Sequence, residues 1–268
     1  MDFLDIFALA LIQGVTEFLP ISSSGHLILW PLLTGRTDQG VTMDVAVHLG
    51  TLLAVVIYFH ADVGRLLLGG RDVLSGRTGT SEARLALLIG LATVPVLILG
   101  VVLKQADLLD ALRSLEVIGW ATLIGGVLLW IADRFGATER SSESWTWGGA
   151  VMMGLAQAAA IIPGTSRSGA CMTIARALGF ERSEAARLAL LMAVPTILAA
   201  GLHETVGVLR DGNLELGAEL LLGATLSCLA ALAALYVMMR MFAATWTMLP
   251  FVIYRVILGS GLLIYAYL

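Results

Sequence analysis

Charged side chains are scarce in this sequence. They make up 13% of its 268 residues, against 58% hydrophobic, whereas a soluble domain carries about 25%. That scarcity excludes an ordinary water-facing surface, and the mean hydropathy of +0.90 agrees. A formal net charge of −4 lacks the basic footprint of a nucleic-acid-binding protein, so no nucleic acid is expected as a partner. The two cysteines, Cys171 and Cys228, both lie in apolar segments and read as packing residues, not as a disulfide or a metal pair. The N-terminus is acidic at Asp2 and Asp5 and has no basic n-region, so no cleavable signal peptide is expected.

What the sequence does have is long apolar runs. Residues 44–60, 86–104, 116–132, 186–202, 217–239 and 250–268 each match a full helical crossing of a hydrocarbon core about 30 Å thick. Regions 2–34 and 148–179 are apolar too, but "PISSSG" and "PGTSRSG" interrupt them. Short arms around a break rich in Pro, Ser and Gly suggest re-entrant helical hairpins. With both termini outside, the inner side holds Arg65, Arg71, Arg77, Arg84, Arg134, Arg140, Arg176, Arg182, Arg187 and Arg240; the outer side holds Arg36, Lys104, Arg113 and Arg210. This is the positive-inside bias. Trp30, Trp120, Trp130, Trp145, Trp147 and Trp246 fall near span ends, where indoles anchor at the interface.

The two broken regions resemble each other. A shift of 144 residues brings Gln13 onto Gln157, Ser22 onto Ser166, Ser24 onto Ser168 and Gly25 onto Gly169, with Pro20 and Pro163 one residue out of register. Each hairpin precedes three spans, so the halves would run in opposite senses. The expected fold is therefore all-α: a polytopic integral membrane protein with an inverted-topology repeat, six full spans and two re-entrant hairpins. It forms a single membrane domain over 1–268, with halves of about 1–132 and 148–268. A chance likeness of two Ser/Gly-rich breaks is the alternative.

The breaks carry chemistry. A serine after Pro20 can cap a new helix near Gly25, and Thr165, Ser166 or Ser168 can do so after Pro163 and Gly164. Two such helix N-termini favour an anion, and the guanidinium of Arg167 can fork onto phosphate. Gln13 and Glu17, four apart, share a helix face. Ser23 and His26, three apart, form a hydroxyl–imidazole pair of the activated-nucleophile kind. A carboxylate beside them could orient the histidine, hold a divalent cation or act as base. Packing explains serine and glycine in membrane helices equally well, and a lone glutamate also fits an ion pathway. His48, His60 and His203 lack ligand spacing, Asp44 reads as a helix-start acid, and Arg255 could pair with a carboxylate or snorkel.

"QGVTEFLPISSSGHL" and "PGTSRSGA" closely resemble the two signature regions of the bacterial undecaprenyl-diphosphate phosphatases, also called bacitracin-resistance proteins. "MDVAVHLGTLLAVVIYF", "EAARLALLMAVPTILAAG" and "PFVIYRVILG" extend the likeness over essentially the whole chain. The resemblance implies hydrolysis of undecaprenyl diphosphate to the monophosphate and inorganic phosphate, recycling the lipid carrier for cell-wall synthesis. It also implies a divalent cation, Mg²⁺ or Ca²⁺, and a multi-pass location in the bacterial inner membrane with the site open to the outer side. Glu17, Ser23, His26 and Arg167 take the catalytic positions, Glu17 also the metal position. Gln13, Ser22, Ser24, Gly25, Ser166, Ser168, Gly169 and Thr173 take the substrate-binding ones. Two departures stand out: Gln13 where the family often has an acid, and Cys171 where it often has threonine, with Thr173 two residues on.

The nucleophile is then either Ser23, with His26 taking its proton, or a water activated by Glu17 or His26. The expected partners are the lipid substrate and membrane lipids, and the sequence leaves monomer and homodimer both open. A transporter or lipid flippase with a midplane anion site is the alternative function; a purely structural subunit would leave Glu17 and Arg167 without a purpose.

Overall fold

A computed structural model describes residues 2–36, 40–106, 108–210 and 217–268; the side chains of Val41, Asp110 and 202–210, including His203 and Arg210, lie outside the described residues. The fold is all-α, with eleven helices among the described residues. They are α1 (Phe3–Thr16), α2 (Ser23–Thr34), α3 (Gly40–Tyr58), α4 (His60–Leu74), α5 (Ser81–Gln105), α6 (Leu115–Phe135), α7 (Trp147–Ala159), α8 (Arg167–Ala177), α9 (Arg182–Arg210), α10 (Gly217–Ala243) and α11 (Leu249–Tyr267). Local chemistry sets many of the starts. Asp2, Thr80, Ser114 and Thr146 each accept a backbone N–H three residues ahead, at 2.8, 3.1, 3.3 and 3.1 Å, opening α1, α5, α6 and α7.

Five helices, α5, α6, α9 as far as Gly201, α10 and α11, are long and apolar enough to cross a membrane. A sixth candidate is the pair α3 and α4, which bends by 93° at its break. The six expected spans thus fall on α3, α5, α6, α9, α10 and α11. The extra helix α4 was not foreseen: the chain turns at Phe59 and runs on as an amphipathic helix with Leu67, Leu68 and Leu74 exposed. The outer surface of the bundle is apolar, with Leu97, Ile98, Leu128, Ile131, Val237 and Ile257 all exposed. This is the surface of an integral membrane protein.

The centre of the bundle is α9. Residues 185–186 and 188–193 along it are almost completely buried. Around it pack α3, α5, α8 and α10, with α1 laid against α10 and α3, α7 against α5, and α6 against α11. The short arms pair within each interrupted region, α1 with α2 and α7 with α8. Both cysteines are free and buried, as their apolar setting suggested. Trp145 is an exception to the interfacial reading: it is fully buried, because it sits under the start of α7.

Arginines at one end of the bundle hold its loops. Asp133 accepts from Arg176 Nε (3.0 Å), Arg182 Nε (2.7 Å) and the Met248 amide (3.0 Å). Arg187 reaches Asp62 on α4, with Nε at 2.9 Å, and Ser142 at 3.0 Å. One carboxylate thus joins α6, the α8–α9 connection and the start of α11.

Helices α3 and α10 meet at backbone distance. A Cβ on Gly50 would lie 2.1 Å from the Ala224 carbonyl oxygen, and Ser227 Oγ donates to the Val47 carbonyl at 2.7 Å. Gly50→Ala is expected to destabilise the fold by about 1–3 kcal/mol through overpacking. Gly90→Ala, where nothing lies within 4 Å, should be neutral or slightly stabilising. Thermal unfolding of the two variants in detergent checks this.

Candidate active site between the two helix breaks

The first helix ends as the Glu17 amide donates to the Gln13 carbonyl at 2.9 Å, and the second starts with Ser22 as its N-cap. The second region repeats the device, with Ser166 capping α8. Both serines sit at positive φ, 75° for Ser22 and 67° for Ser166, where a residue with a Cβ is strained by about 1–3 kcal/mol. The strain turns the chain sharply enough for each hydroxyl to cap its own helix. Ser22 Oγ accepts from the Gly25 amide at 3.4 Å and Ser166 Oγ from the Gly169 amide at 3.1 Å. The amides of Ser23 and Ser24, and of Arg167 and Ser168, are first-turn donors with no acceptor inside their own helix.

The two breaks also bond to each other. The Gly164 amide donates to Ser22 Oγ at 3.1 Å, and Ser168 Oγ donates to the Leu19 carbonyl at 3.0 Å. Gly164, at φ 92°, lies so close to α6 that a Cβ there would meet the Ile118 carbonyl oxygen at 2.4 Å. Arg255 completes the join. Its side chain is buried and meets no carboxylate among the described residues. Nε donates to the Thr122 carbonyl (3.0 Å), Nη1 to Pro20 (3.2 Å), and Nη2 to Ala121 (3.2 Å), Gly164 (3.2 Å) and Thr165 (2.9 Å). Neither reading of Arg255 open from sequence holds. It bonds five backbone carbonyls on α6 and both breaks, acceptors that a residue pattern does not reveal.

At the junction lies a cavity of about 420 Å³. Glu17, Ser22, Ser23, Ser24, Ser166 and Arg167 line it, and Val45, Val96, Ile161, Ile197 and Ala200 form an apolar flank. Glu17 is its hub. Oε1 accepts from Arg167 Nη2, and Oε2 accepts from Ser23 Oγ at 2.6 Å and Gln13 Nε2 at 2.9 Å. This pairs a carboxylate from the first interrupted region with a guanidinium from the second, and seats a hydroxyl against it.

The remaining expected residues divide. Gln13 is fully buried behind Glu17. Gly25, Ser168 and Gly169 build the breaks, and Thr173 donates to the Gly169 carbonyl at 2.7 Å within α8. His26 does not make the contact with Ser23 that their spacing suggested. Its Nδ1 donates to the Ser22 carbonyl at 2.6 Å, Nε2 meets Tyr254 Oη at 2.5 Å, and the ring stacks on Tyr254. The Ser22 carbonyl and Tyr254 hold the ring away from Ser23, whose hydroxyl points back at Glu17.

Two residues passed over in the sequence line the cavity: Asp44 and His48. His48 Nδ1 donates to the Asp44 carbonyl at 2.6 Å, which turns Nε2 to within 3.7 Å of Glu17 Oε2. The absence of any second histidine at ligand spacing hid it. Gln157 also reaches the cavity, held by the Ala92 carbonyl and Thr196 Oγ1, both at 3.3 Å. The 144-residue shift had picked out Gln157 as the counterpart of Gln13.

Glu17 and Asp44 are the carboxylates of this lining. Among the described residues no three His, Cys, Asp or Glu are grouped to hold a metal by themselves. A hard divalent cation would find at most two carboxylates in this lining and would need its remaining oxygens from a ligand.

Interrupted helices meeting at a charged cavity inside an apolar bundle define an integral membrane protein with an internal polar site. Residues 6–261 match the family model described as bacitracin resistance protein BacA, and the chain belongs to that family. Curated relatives include proteins named undecaprenyl-diphosphatase from Jannaschia sp. (strain CCS1), 51% identical, Ruegeria sp. (strain TM1040), 50% identical, and Roseobacter denitrificans, 47% identical, each over all of both chains.

Arg255→Met is expected to lower stability by more than about 3 kcal/mol, because it strands several buried carbonyls. Arg255→Lys should restore only part of this, since an ammonium cannot span three segments. Thermal unfolding of both variants in detergent gives the comparison.

Proposed function

We propose that this chain is an undecaprenyl-diphosphatase, a phosphatase that releases the terminal phosphate of undecaprenyl diphosphate and returns undecaprenyl phosphate to cell-wall synthesis. One observation carries the reading: Glu17, Ser23 and Arg167 meet in a cavity fed by two helix N-termini and flanked by apolar side chains. A diphosphate suits the first set, and a prenyl chain suits the flank. The full-length relatives of the same name support it.

Ser23 is the nucleophile in this mechanism. Its proton passes to Glu17 Oε2, the acceptor already 2.6 Å away, so Glu17 takes the role first assigned to His26. The hydroxyl oxygen bonds to the terminal phosphorus, the bridging P–O bond breaks, and undecaprenyl phosphate departs. Glu17 passes that proton to the departing oxygen of undecaprenyl phosphate; water then attacks the phosphoserine phosphorus, its proton moving through Glu17 to Ser23 Oγ as the P–Oγ bond breaks and inorganic phosphate leaves. Arg167 and the first-turn amides of α2 and α8 hold the phosphate oxygens as charge builds on them. His26 fixes the carbonyl of the strained Ser22, and so the angle of the first break. Glu17, with Asp44, would hold a divalent cation, Mg²⁺ or Ca²⁺, which supplies further charge neutralisation on the phosphate oxygens.

The architecture is read as one membrane domain of two inverted halves, about 1–132 and 148–268, each opening with a re-entrant hairpin. Reciprocal packing supports this: α1 of the first half lies on α10 of the second, and α7 of the second on α5 of the first. The arginine-rich end, with Arg140, Arg176, Arg182 and Arg187, is assigned to the cytoplasmic side of the bacterial inner membrane. The cavity then opens toward the outer side.

Phosphate release from a prenyl diphosphate by detergent-solubilised protein, with and without a chelator, tests the reaction free of any transport. Arg167→Ala is expected to lose at least about 100-fold in kcat/KM; a loss below threefold would take Arg167 out of the site. Ser23→Ala should lose a similar factor and the acid-stable phosphoserine seen on quenching the native protein. If it retains most of the rate, an activated water is the nucleophile instead.

A further inference from the structure

A second cavity, of about 320 Å³, lies between α6, the connection before α11 and the start of α9. Its lining includes Trp130, Asp133, Arg134, Arg182, Thr247 and Leu249. It contains none of the residues of the cavity described above.

Its charge is unbalanced. Asp133 is the one carboxylate in the lining, and it is already spent. Oδ1 accepts from Arg176 and Arg182, and Oδ2 from the Met248 amide. Arg182 gives Asp133 only its Nε, at 2.7 Å, and its terminal nitrogens bond no side chain or carbonyl among the described residues. Arg134 is exposed and meets no carboxylate among the described residues; its guanidinium sits 5.8 Å from the Phe135 ring centroid. The lining thus holds two guanidiniums, those of Arg134 and Arg182, against one carboxylate that Arg176 already shares.

The mouth is apolar and aromatic. Trp130 is 43% exposed and Leu249 45%, and Phe135, 72% exposed, packs edge-on to Trp130 with ring centroids 6.0 Å apart. Exposed indoles beside arginines at the end of a spanning helix mark headgroup depth in a bilayer. Basic pockets between spanning helices at that depth suit phosphate headgroups. Thr247 adds a hydroxyl to the lining.

We propose that this cavity binds a phosphate group, held by Arg134 and Arg182, and that an anionic phospholipid such as phosphatidylglycerol supplies it. The exposed aromatic and leucine side chains at the mouth favour the lipid over free phosphate, because they offer the acyl and glycerol portions a surface that an inorganic ion cannot use.

The test uses the full chain in detergent, titrated separately with dioctanoyl phosphatidylglycerol and with inorganic phosphate, with binding followed by native mass spectrometry. Arg134→Gln is the main variant, since the side chain has no carboxylate partner to lose. It is expected to weaken lipid binding about fivefold, the effect of one arginine at an anionic membrane surface. Arg182→Gln should weaken it at least as much. Arg240→Gln, whose guanidinium bonds Tyr236 outside this cavity, should change it less than twofold. If inorganic phosphate binds as tightly and with the same dependence on Arg134, the site takes phosphate but its source is the free ion. If Arg134→Gln binds both within twofold of the native protein, or Arg240→Gln loses as much as Arg134→Gln, the assignment is overturned.

Discussion

Backbone polar groups in lipid must find partners within the protein, and a helix that stops midway exposes several at once. Each break in this chain is completed by the other. Ser22 accepts from Gly164, Ser168 donates to Leu19, and Arg255 gathers carbonyls from both. Neither interruption would be stable alone at that depth. Their mutual satisfaction fixes the two helix starts side by side, and the contact of Glu17 with Arg167 across the cavity is built on that placement.

The scaffold is matched, but the chemistry on it is not. Under the 144-residue shift, the capping serines Ser22 and Ser166 coincide, down to their positive φ. The next residue is Ser23 in one copy and Arg167 in the other, and Glu17 has Ile161 as its counterpart. One frame thus presents a hydroxyl at the first turn of one helix and a guanidinium at the first turn of the other. The carboxylate between them comes from one side only. This division lets like-folded segments serve unlike ends.

Much of this was legible because lipid makes polar residues conspicuous. Glu17, Arg167 and the serine clusters stood out against apolar flanks, and the Pro-Ser-Gly breaks announced new helix starts. Five of the six expected spans followed from length and hydropathy, and the sixth falls on the bent pair α3 and α4. Less legible were features that depend on three-dimensional reach. His48 lies on α3, far along the chain from Glu17, and alone it had no pattern to betray it. The partners of Arg255 are carbonyls, which every residue carries. Trp145 looked interfacial because it precedes a span, yet the loops tied by Arg84 and Arg140 close over that part of the chain. The Ser23–His26 spacing was real, but a helix start directs its first side chains differently from a helix interior.

The ion pair between Glu17 and Arg167 means that the charges lining the cavity already neutralise each other. An arriving ligand must outcompete an internal rival for the guanidinium. A singly charged guest would only swap one partner for another, with no net advantage. A guest bearing two phosphoryl groups can satisfy Arg167 and still have oxygens left for the helix starts. Selection by charge number is therefore built into the resting site, and the same rivalry helps expel the less charged lipid once its outer phosphoryl group is gone.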